Sequence, residues 1–258
     1  MSVINSSFLD LKTVREVIRN YSPLLYSPKL RSLLTAIYPN EEFAAIDKFG
    51  LHKRVNHILV EQYPGEQLLK YVLFDETRRR KLVGAYEIKV NRSRVDFLTI
   101  NGVTTSYEIK SSLDNLSKLS KQCADYLLAF EYNNLVTHQK HLQAALKIVP
   151  KSFGILIFDG NKKTVYRKAE LNESIDPGTQ LSLLTKKELL VFFDGHNTVE
   201  AVLANYSNER INNLFKKALK ERYMIRWQFI VRNFFKILPI DLQFFFNTNI
   251  EPQYIYNN

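Results

Sequence analysis

Asp96, Glu108 and Lys110 are the residues whose types and spacing most directly suggest chemistry. Two acids on neighbouring β-segments, with a lysine two positions beyond the second, can meet on one sheet face. Opposed or diagonal partners there lie ~5 to 8 Å apart, close enough for two carboxylates to grip one divalent ion. Mg²⁺ (or Mn²⁺) takes oxygen ligands, keeps several waters, and is commonly held by one or two carboxylates plus a substrate phosphate. Such an ion polarises a phosphate and lowers the pKa of bound water. The lysine can orient that water or stabilise negative charge building on the phosphorus centre. The main-chain carbonyl of Ile109 is a further candidate metal ligand. The bland alternative is a surface ion pair worth ~0 to 1 kcal/mol. Tyr86-Glu87-Ile88-Lys89 carries the same E-x-K spacing, so the short motif by itself is weak.

These residues need strands, and the local texture supplies them. From Val83 the chain alternates and favours β-branched and aromatic residues, with interruptions at Asn91-Arg92-Ser93 and Asn101-Gly102. This predicts strands over 83–90, 94–100 and 104–110. A two-residue turn would pair Ile100 with Val103 and send Asp96 and Glu108 to opposite faces. An odd-numbered connection, with Gly102 in the left-handed region, puts Arg94, Asp96, Glu108 and Lys110 on one face and the apolar set Val95, Phe97, Tyr107 and Ile109 on the other. That segregation favours the odd register. A helix is expected after it, carried by Leu113, Leu116, Leu119, Cys123, Tyr126, Leu127 and Phe130 and capped by Ser112 or Asp114. Beyond lie a strand at 135–137, a helix at 141–149, and a hairpin of 153–159 with 164–168 through Gly160-Asn161. Helices are expected at 186–193 and 198–206, then a basic helix from Glu209 that Pro239 stops. Residues before 80 read as helices punctuated by prolines.

The 258 residues carry a formal charge of +10 and a single cysteine. One thiol forms neither an internal disulfide nor a zinc cluster, so Cys123 reads as a small core residue in a reducing cytoplasm. The opening residues lack the pattern of a secretory signal, and no apolar run is long enough for a membrane span. The charge is concentrated: Arg210, Lys216, Lys217, Lys220, Arg222, Arg226, Arg232 and Lys236 stand against Glu209 and Glu221. A second cluster is Arg78-Arg79-Arg80-Lys81. Basic surface attracts polyanions, nucleic acid above all, although a solvated surface looks the same in sequence. Arg94 either contacts phosphate or neutralises the acids. His138 and His141 have no third ligand nearby and read as ordinary. The Phe234-Phe235 and Phe244-Phe245-Phe246 clusters are expected to pack on the body or on a partner subunit, leaving a homo-oligomer open.

The stretches Tyr86-Glu87-Ile88-Lys89-Val90, Arg94-Val95-Asp96-Phe97-Leu98, Tyr107-Glu108-Ile109-Lys110-Ser111, Asp114-Asn115-Leu116 and Gln122-x-x-x-Tyr126 together resemble the PD-(D/E)XK nuclease superfamily, in particular a poorly characterised bacterial and phage branch. The likeness continues through Leu135-Val136-Thr137, Lys140-His141 and Pro150 to Leu156. It is fainter at Leu183-Leu184, Lys187 to Leu190 and Asn208-Glu209-Arg210, and spans roughly 83–225. The resemblance implies an α/β fold with a restriction-endonuclease-like core, a mixed central sheet flanked by helices, with helical extensions at both ends. Chain texture divides the sequence into a helical region 1–82, a core over 83–170 that the resemblance marks as nuclease, and a basic helical region 171–258. The resemblance implies that Asp96 and Glu108 bind metal, that Lys110 is the catalytic lysine, that Glu87 is the upstream acid, and that Gln122 and Tyr126 are the polar positions on the following helix. Val95 stands where the family name has proline. The expected activity is Mg²⁺- or Mn²⁺-dependent hydrolysis of nucleic acid, DNA in the first instance, with Lys216, Lys217, Lys220, Arg222 and Arg226 contacting phosphate and a setting in phage–host conflict or mobile-element biology. The alternative is a non-catalytic nucleic-acid-binding or regulatory protein on the same fold.

Overall fold

The computed structural model describes residues 9–63, 65–159 and 162–257, which fall into two compact units. One joins the chain up to Tyr71 with Phe229 onward, and the other runs from Val72 to Gln228. The three-part division read from chain texture follows sequence order. The units follow packing, so the first and last segments share one unit.

In that unit, α1 (Leu11–Asn20), α2 (Ser27–Ile37) and α3 (Lys48–Gln62) bury Val14, Val17, Leu30, Leu34, Leu51, Val55 and Leu59 together. Asp10 starts α1 by accepting from the amides of Lys12 (2.9 Å) and Thr13 (3.0 Å), satisfying donors that the first turn leaves free. The same unit holds a buried polar network. The Tyr21 hydroxyl lies 3.0 Å from His52 Nδ1 and donates to Asp241 Oδ2 at 3.0 Å; Tyr256 donates to the same oxygen at 2.7 Å, and Asn56 Nδ2 lies 3.0 Å from the Tyr21 oxygen. Phe245 and Phe246 are buried and Phe234 stacks on Tyr71, as packing aromatics should, but Phe235 is 91% exposed.

The second unit is built on a six-stranded sheet in simple sequential order: β1 (Val83–Val90), β2 (Ser93–Ile100), β3 (Thr104–Lys110), β4 (Tyr132–His138), β5 (Gly154–Asp159) and β6 (Lys162–Arg167). The first three strands are antiparallel, β3, β4 and β5 are parallel, and β6 returns antiparallel. The sheet is therefore mixed and carries helices, an α/β arrangement. The residues joining β5 to β6, Gly160-Asn161, lie outside the described set. Gly102 adopts φ +76°, Asn101 donates to the Val103 carbonyl at 3.0 Å, and Ile100 pairs with Thr104. This is the odd connection that the face segregation favours, and it puts Asp96 and Glu108 in phase.

Two expected helices are corrected. The helix after β3, α5, spans only Leu119–Leu127, and Leu113 and Leu116 lie in turns before it. Asp114 accepts from the Ser111 amide (2.7 Å) and hydroxyl (2.6 Å), and Asn115 accepts from the Ser117 amide (3.1 Å). Such side-chain captures of backbone donors compete with helix, so Asp114 closes a turn rather than capping α5. The basic helix α10 (Asn208–Arg232) ends seven residues before Pro239, with a single 3₁₀ turn over Phe234–Lys236. Between them in the chain lie α6 (Leu142–Ile148), α7 (Pro177–Ser182), α8 (Lys186–Phe192) and α9 (Val199–Asn205); α8 begins with a complete capping box of Thr185 and Glu188.

Candidate active site

The β1–β2 register sums to a constant across the hairpin: Tyr86 pairs with Phe97, Ile88 with Val95 and Lys89 with Arg94. Glu87 thus stands across from Asp96. In the β2–β3 pair, Phe97 opposes Tyr107, and the same register carried one step further sets Asp96 against Glu108. Side chains that oppose one another share a face. Glu87, Asp96 and Glu108 therefore form an acidic row across three strands. Two residues along each strand, Lys89, Arg94 and Lys110 form a basic row on the same face.

Each acid is held differently. Asp96 Oδ2 accepts the Ile109 amide proton at 2.6 Å, so a side chain replaces the ladder acceptor where the β2–β3 pairing stops. Glu108 is fully buried; Lys110 Nζ bonds its Oε1, and Tyr126 of α5 places its hydroxyl 2.5 Å from Oε2 and 2.6 Å from the Arg94 carbonyl. Glu87 sits at φ +57° inside β1, a left-handed conformation that costs a non-glycine residue ~1 to 3 kcal/mol. Carboxylate oxygens of Glu87 and Asp96 lie within 4.8 Å of each other, and Arg94 reaches Glu87 at 3.4 Å.

Burial by itself would lower the Lys110 pKa, but the Glu108 carboxylate, with help from Asp96, outweighs it and holds the ammonium above its usual value. Lys110 is consequently a cation at neutral pH, suited to charge stabilisation and not to acting as a base. Burial, reinforced by Glu108 and then Asp96, pushes the Tyr126 phenol well above its usual value, so it remains a donor. Cys123 is buried, as a small core residue should be, and burial pushes its thiol up to about 12.

The sequence-derived residues Glu87, Asp96, Glu108, Lys110, Tyr126 and Arg94 thus come together. Gln122 lies one helical turn before Tyr126; its Oε1 is shielded from water and accepts no hydrogen bond from the described residues. Ile109 engages the site through its amide, donated to Asp96. His138 accepts from the Lys140 amide (3.2 Å) and His141 Nε2 meets the Ser111 carbonyl (3.1 Å). Sequence reading missed Asp125, whose carboxylate accepts from Ser93 Oγ at 2.5 Å and Asn91 Nδ2 at 3.4 Å and so ties the tip of the β1–β2 hairpin to α5. Nothing in its spacing marks it.

Helix α10 requires a correction. Lys216 is 13% exposed at its side chain and bonds the buried Glu131 at 2.8 Å, while Arg222 is held by the Glu188 carboxylate and the Leu183 carbonyl (2.9 Å). Both are engaged by acids of the protein itself, which leaves them poorly placed to meet phosphate. Lys217 and Arg226 are exposed, and Lys220 is half-buried. Trp227 of α10 packs on Phe97 and on Phe74 of α4 (Glu66–Arg79), and a Cβ on Gly84 would come within 2.5 Å of its ring. Phe97 and Gly84 belong to the sheet face opposite Asp96, so α10 lies across the sheet from the acidic row.

Among the described residues no helix is long and apolar enough to cross a membrane. No curated protein matches the chain. Among solved structures, a protein of unknown function from Silicibacter pomeroyi, SPO1766, matches with a TM-score of 0.36 and 21% identity, covering 52% of this chain and 94% of its own. The profile of the family described as bacteriophage P4 protein cII matches residues 56–245, more than half of the chain, and the chain belongs to that family.

Proposed function

We propose that the protein is a metal-dependent nuclease of the PD-(D/E)XK type that hydrolyses phosphodiester bonds of nucleic acid, with DNA as substrate. The observation that carries this reading is the acidic row with Lys110 beside it: Glu87 and Asp96 oxygens lie within 4.8 Å, and the Glu87 backbone is held in a strained conformation. Like charges opposed across strands destabilise a sheet, so such a row argues for a cation among them. The donor set is all oxygen, the kind that Mg²⁺ or Mn²⁺ prefers. Asp96 and Glu87 are the acids with oxygens turned toward one another; Glu108, already engaged by Lys110 and Tyr126, would join by exchanging one of these partners, with the Ile109 carbonyl as a further ligand. A bound ion would supply Lewis-acid polarisation of the phosphate. The protein's own part is then to hold: Asp96 is fixed by the Ile109 amide, Glu108 by Tyr126, and the Lys110 ammonium stands ready for charge developing on phosphate oxygens. Membership of a family named for a phage protein supports a phage or mobile-element setting.

The rival is a regulatory or nucleic-acid-binding protein without catalysis, favoured by the closed pairing of Glu108 with Lys110. Incubating the purified protein with labelled linear, circular and single-stranded DNA in Mg²⁺, Mn²⁺ or EDTA separates them. Cleavage that needs the metal and vanishes in Asp96→Asn is expected. This variant keeps an acceptor for the Ile109 amide, so it should fold. No metal-dependent product, or equal product from Asp96→Asn, sinks the nuclease reading.

A further inference from the structure

Beyond Lys110, the basic row holds two cations that the hydrolytic reading leaves without a task. Lys89 and Arg94 are directly paired across β1 and β2, both exposed, and on the face that carries Glu87 and Asp96. Arg92 is exposed at the hairpin tip between them in the chain. Opposing like charges across two strands costs stability instead of adding it. A sheet selected only for stability would alternate signs across its strands. Here the sign is constant across strands and alternates along them. Arg94 does reach Glu87 at 3.4 Å, but its side chain is 65% exposed, and a pair so placed contributes little.

The hairpin that carries these cations is anchored. Asp125 of α5 takes the Ser93 hydroxyl and the Asn91 amide, Tyr126 bonds the Arg94 carbonyl, and Asn91 turns the chain at φ +51°. The cations are therefore presented on a fixed scaffold next to the acids. Trp227 of α10 packs on the opposite sheet face, and two of the helix's cations, Lys216 and Arg222, are internally paired.

We propose that Lys89, Arg92 and Arg94 on the β1–β2 hairpin bind the phosphodiester backbone of the nucleic acid and lead it to the acidic row. The identity of the anion rests on the nuclease reading; the basic row itself does not. Neighbouring strands are ~4.8 Å apart and phosphates along one strand of a duplex rise by ~3.4 Å each, so three cations on this hairpin suit two or three successive phosphates.

Fluorescence anisotropy of the full-length protein with labelled single-stranded and duplex oligonucleotides, in EDTA to prevent cleavage and across about 50 to 200 mM salt, tests this. Removing three phosphate contacts should lower the slope of log affinity against log salt by about 2 to 3, and weaken binding about 100-fold at ~0.1 M salt. Lys89→Ser/Arg92→Ser/Arg94→Ser should show that loss, and Arg92→Lys/Arg94→Lys should retain binding. Lys12→Ser/Arg15→Ser/Arg19→Ser removes equal charge from exposed positions on α1 and should leave the slope in place. Circular dichroism confirms that each variant is folded. An unchanged slope in the hairpin triple, a loss produced instead by Lys217→Ser/Lys220→Ser/Arg226→Ser, or no wild-type binding to either oligonucleotide overturns the proposal. Metal-dependent cleavage with hairpin-independent binding sinks this inference alone. Hairpin-dependent binding with no cleavage sinks the nuclease reading alone.

Discussion

Glu108 is the most committed of the acids, and its dependence on Lys110 can be measured. The Glu108 side chain is 1% exposed and that of Lys110 is 13%, so little water reaches the pair to replace a lost partner. Removing one member of such a pair strands a buried charge, at a cost of ~3 to 5 kcal/mol. Lys110→Met keeps the aliphatic stem and deletes only the charge. For a protein of this size the loss corresponds to a fall in Tm of roughly 6 to 20 °C. Glu108→Gln retains an acceptor for Tyr126, and in combination with Lys110→Met it removes both charges together. Urea denaturation of wild type, both single variants and the double variant closes a thermodynamic cycle. The expected coupling is at least about 2 kcal/mol, with the double variant more stable than Lys110→Met. The pH dependence has a definite sign. The folded protein holds the Lys110 proton more tightly than the unfolded chain, so this stabilisation is complete below the unfolded value near 10.5 and is lost as pH rises through the higher folded one. Losses that add within about 0.5 kcal/mol would show that the two charges do not depend on each other, and the reasoning would fail.

Tyr126→Phe deletes a buried hydroxyl shared by Glu108 and the Arg94 carbonyl, and thermal unfolding should report a loss of ~1.5 to 3 kcal/mol. Lys216→Met removes the counter-charge of buried Glu131, whose carboxylate keeps the Thr104 amide and Asn212 as donors, and should destabilise by ~1.5 to 3 kcal/mol yet leave the salt dependence of DNA binding unchanged in anisotropy titrations. Asp241, whose carboxyl burial pushes up to about 7, keeps a proton that the unfolded chain releases above about 3.8, so its contribution to stability falls as pH rises between those values; His52, pushed down to about 4 by burial, contributes the opposite slope up to about 6.5. The two contributions oppose each other between about pH 4 and 6.5, so the stability of Asp241→Asn relative to the wild type should rise by ~1.4 kcal/mol per pH unit there; a difference that does not change with pH in that window would refute the reasoning.

The three antiparallel strands were legible because alternation and turn chemistry agree there. Val95, Phe97, Tyr107 and Ile109 can share the core only if the 100–104 connection is odd, and Gly102 supplies the left-handed residue that such a connection needs. The helix after β3 was overextended because Leu113 and Leu116 fit a helical period, while the decisive interactions are side-chain captures by Asp114 and Asn115, which periodicity does not register. The left-handed Glu87 was equally hidden. Its neighbours alternate as in any strand, and the strain appears only when the chain is seen to keep its register across that residue.

Charge was the least legible property, for a reason of geometry. Along the chain, Lys216 and Arg222 look as free as Lys89 and Arg94, and they sit in the denser basic segment. Whether a cation serves the fold or a ligand depends on the residue folded against it. Glu131 and Glu188 lie 85 and 34 positions from the cations they hold, separations at which local pattern carries no information. Strand pairing is the exception, because a register fixes distant residues once a single pair is known. From Ile100 opposite Thr104 and Lys89 opposite Arg94, the two charge rows follow by counting. Rows of one sign across strands, alternating along them, oppose the pairing that would stabilise the sheet. That opposition is the physical ground for seeking a metal ion at one row and a phosphate chain at the other.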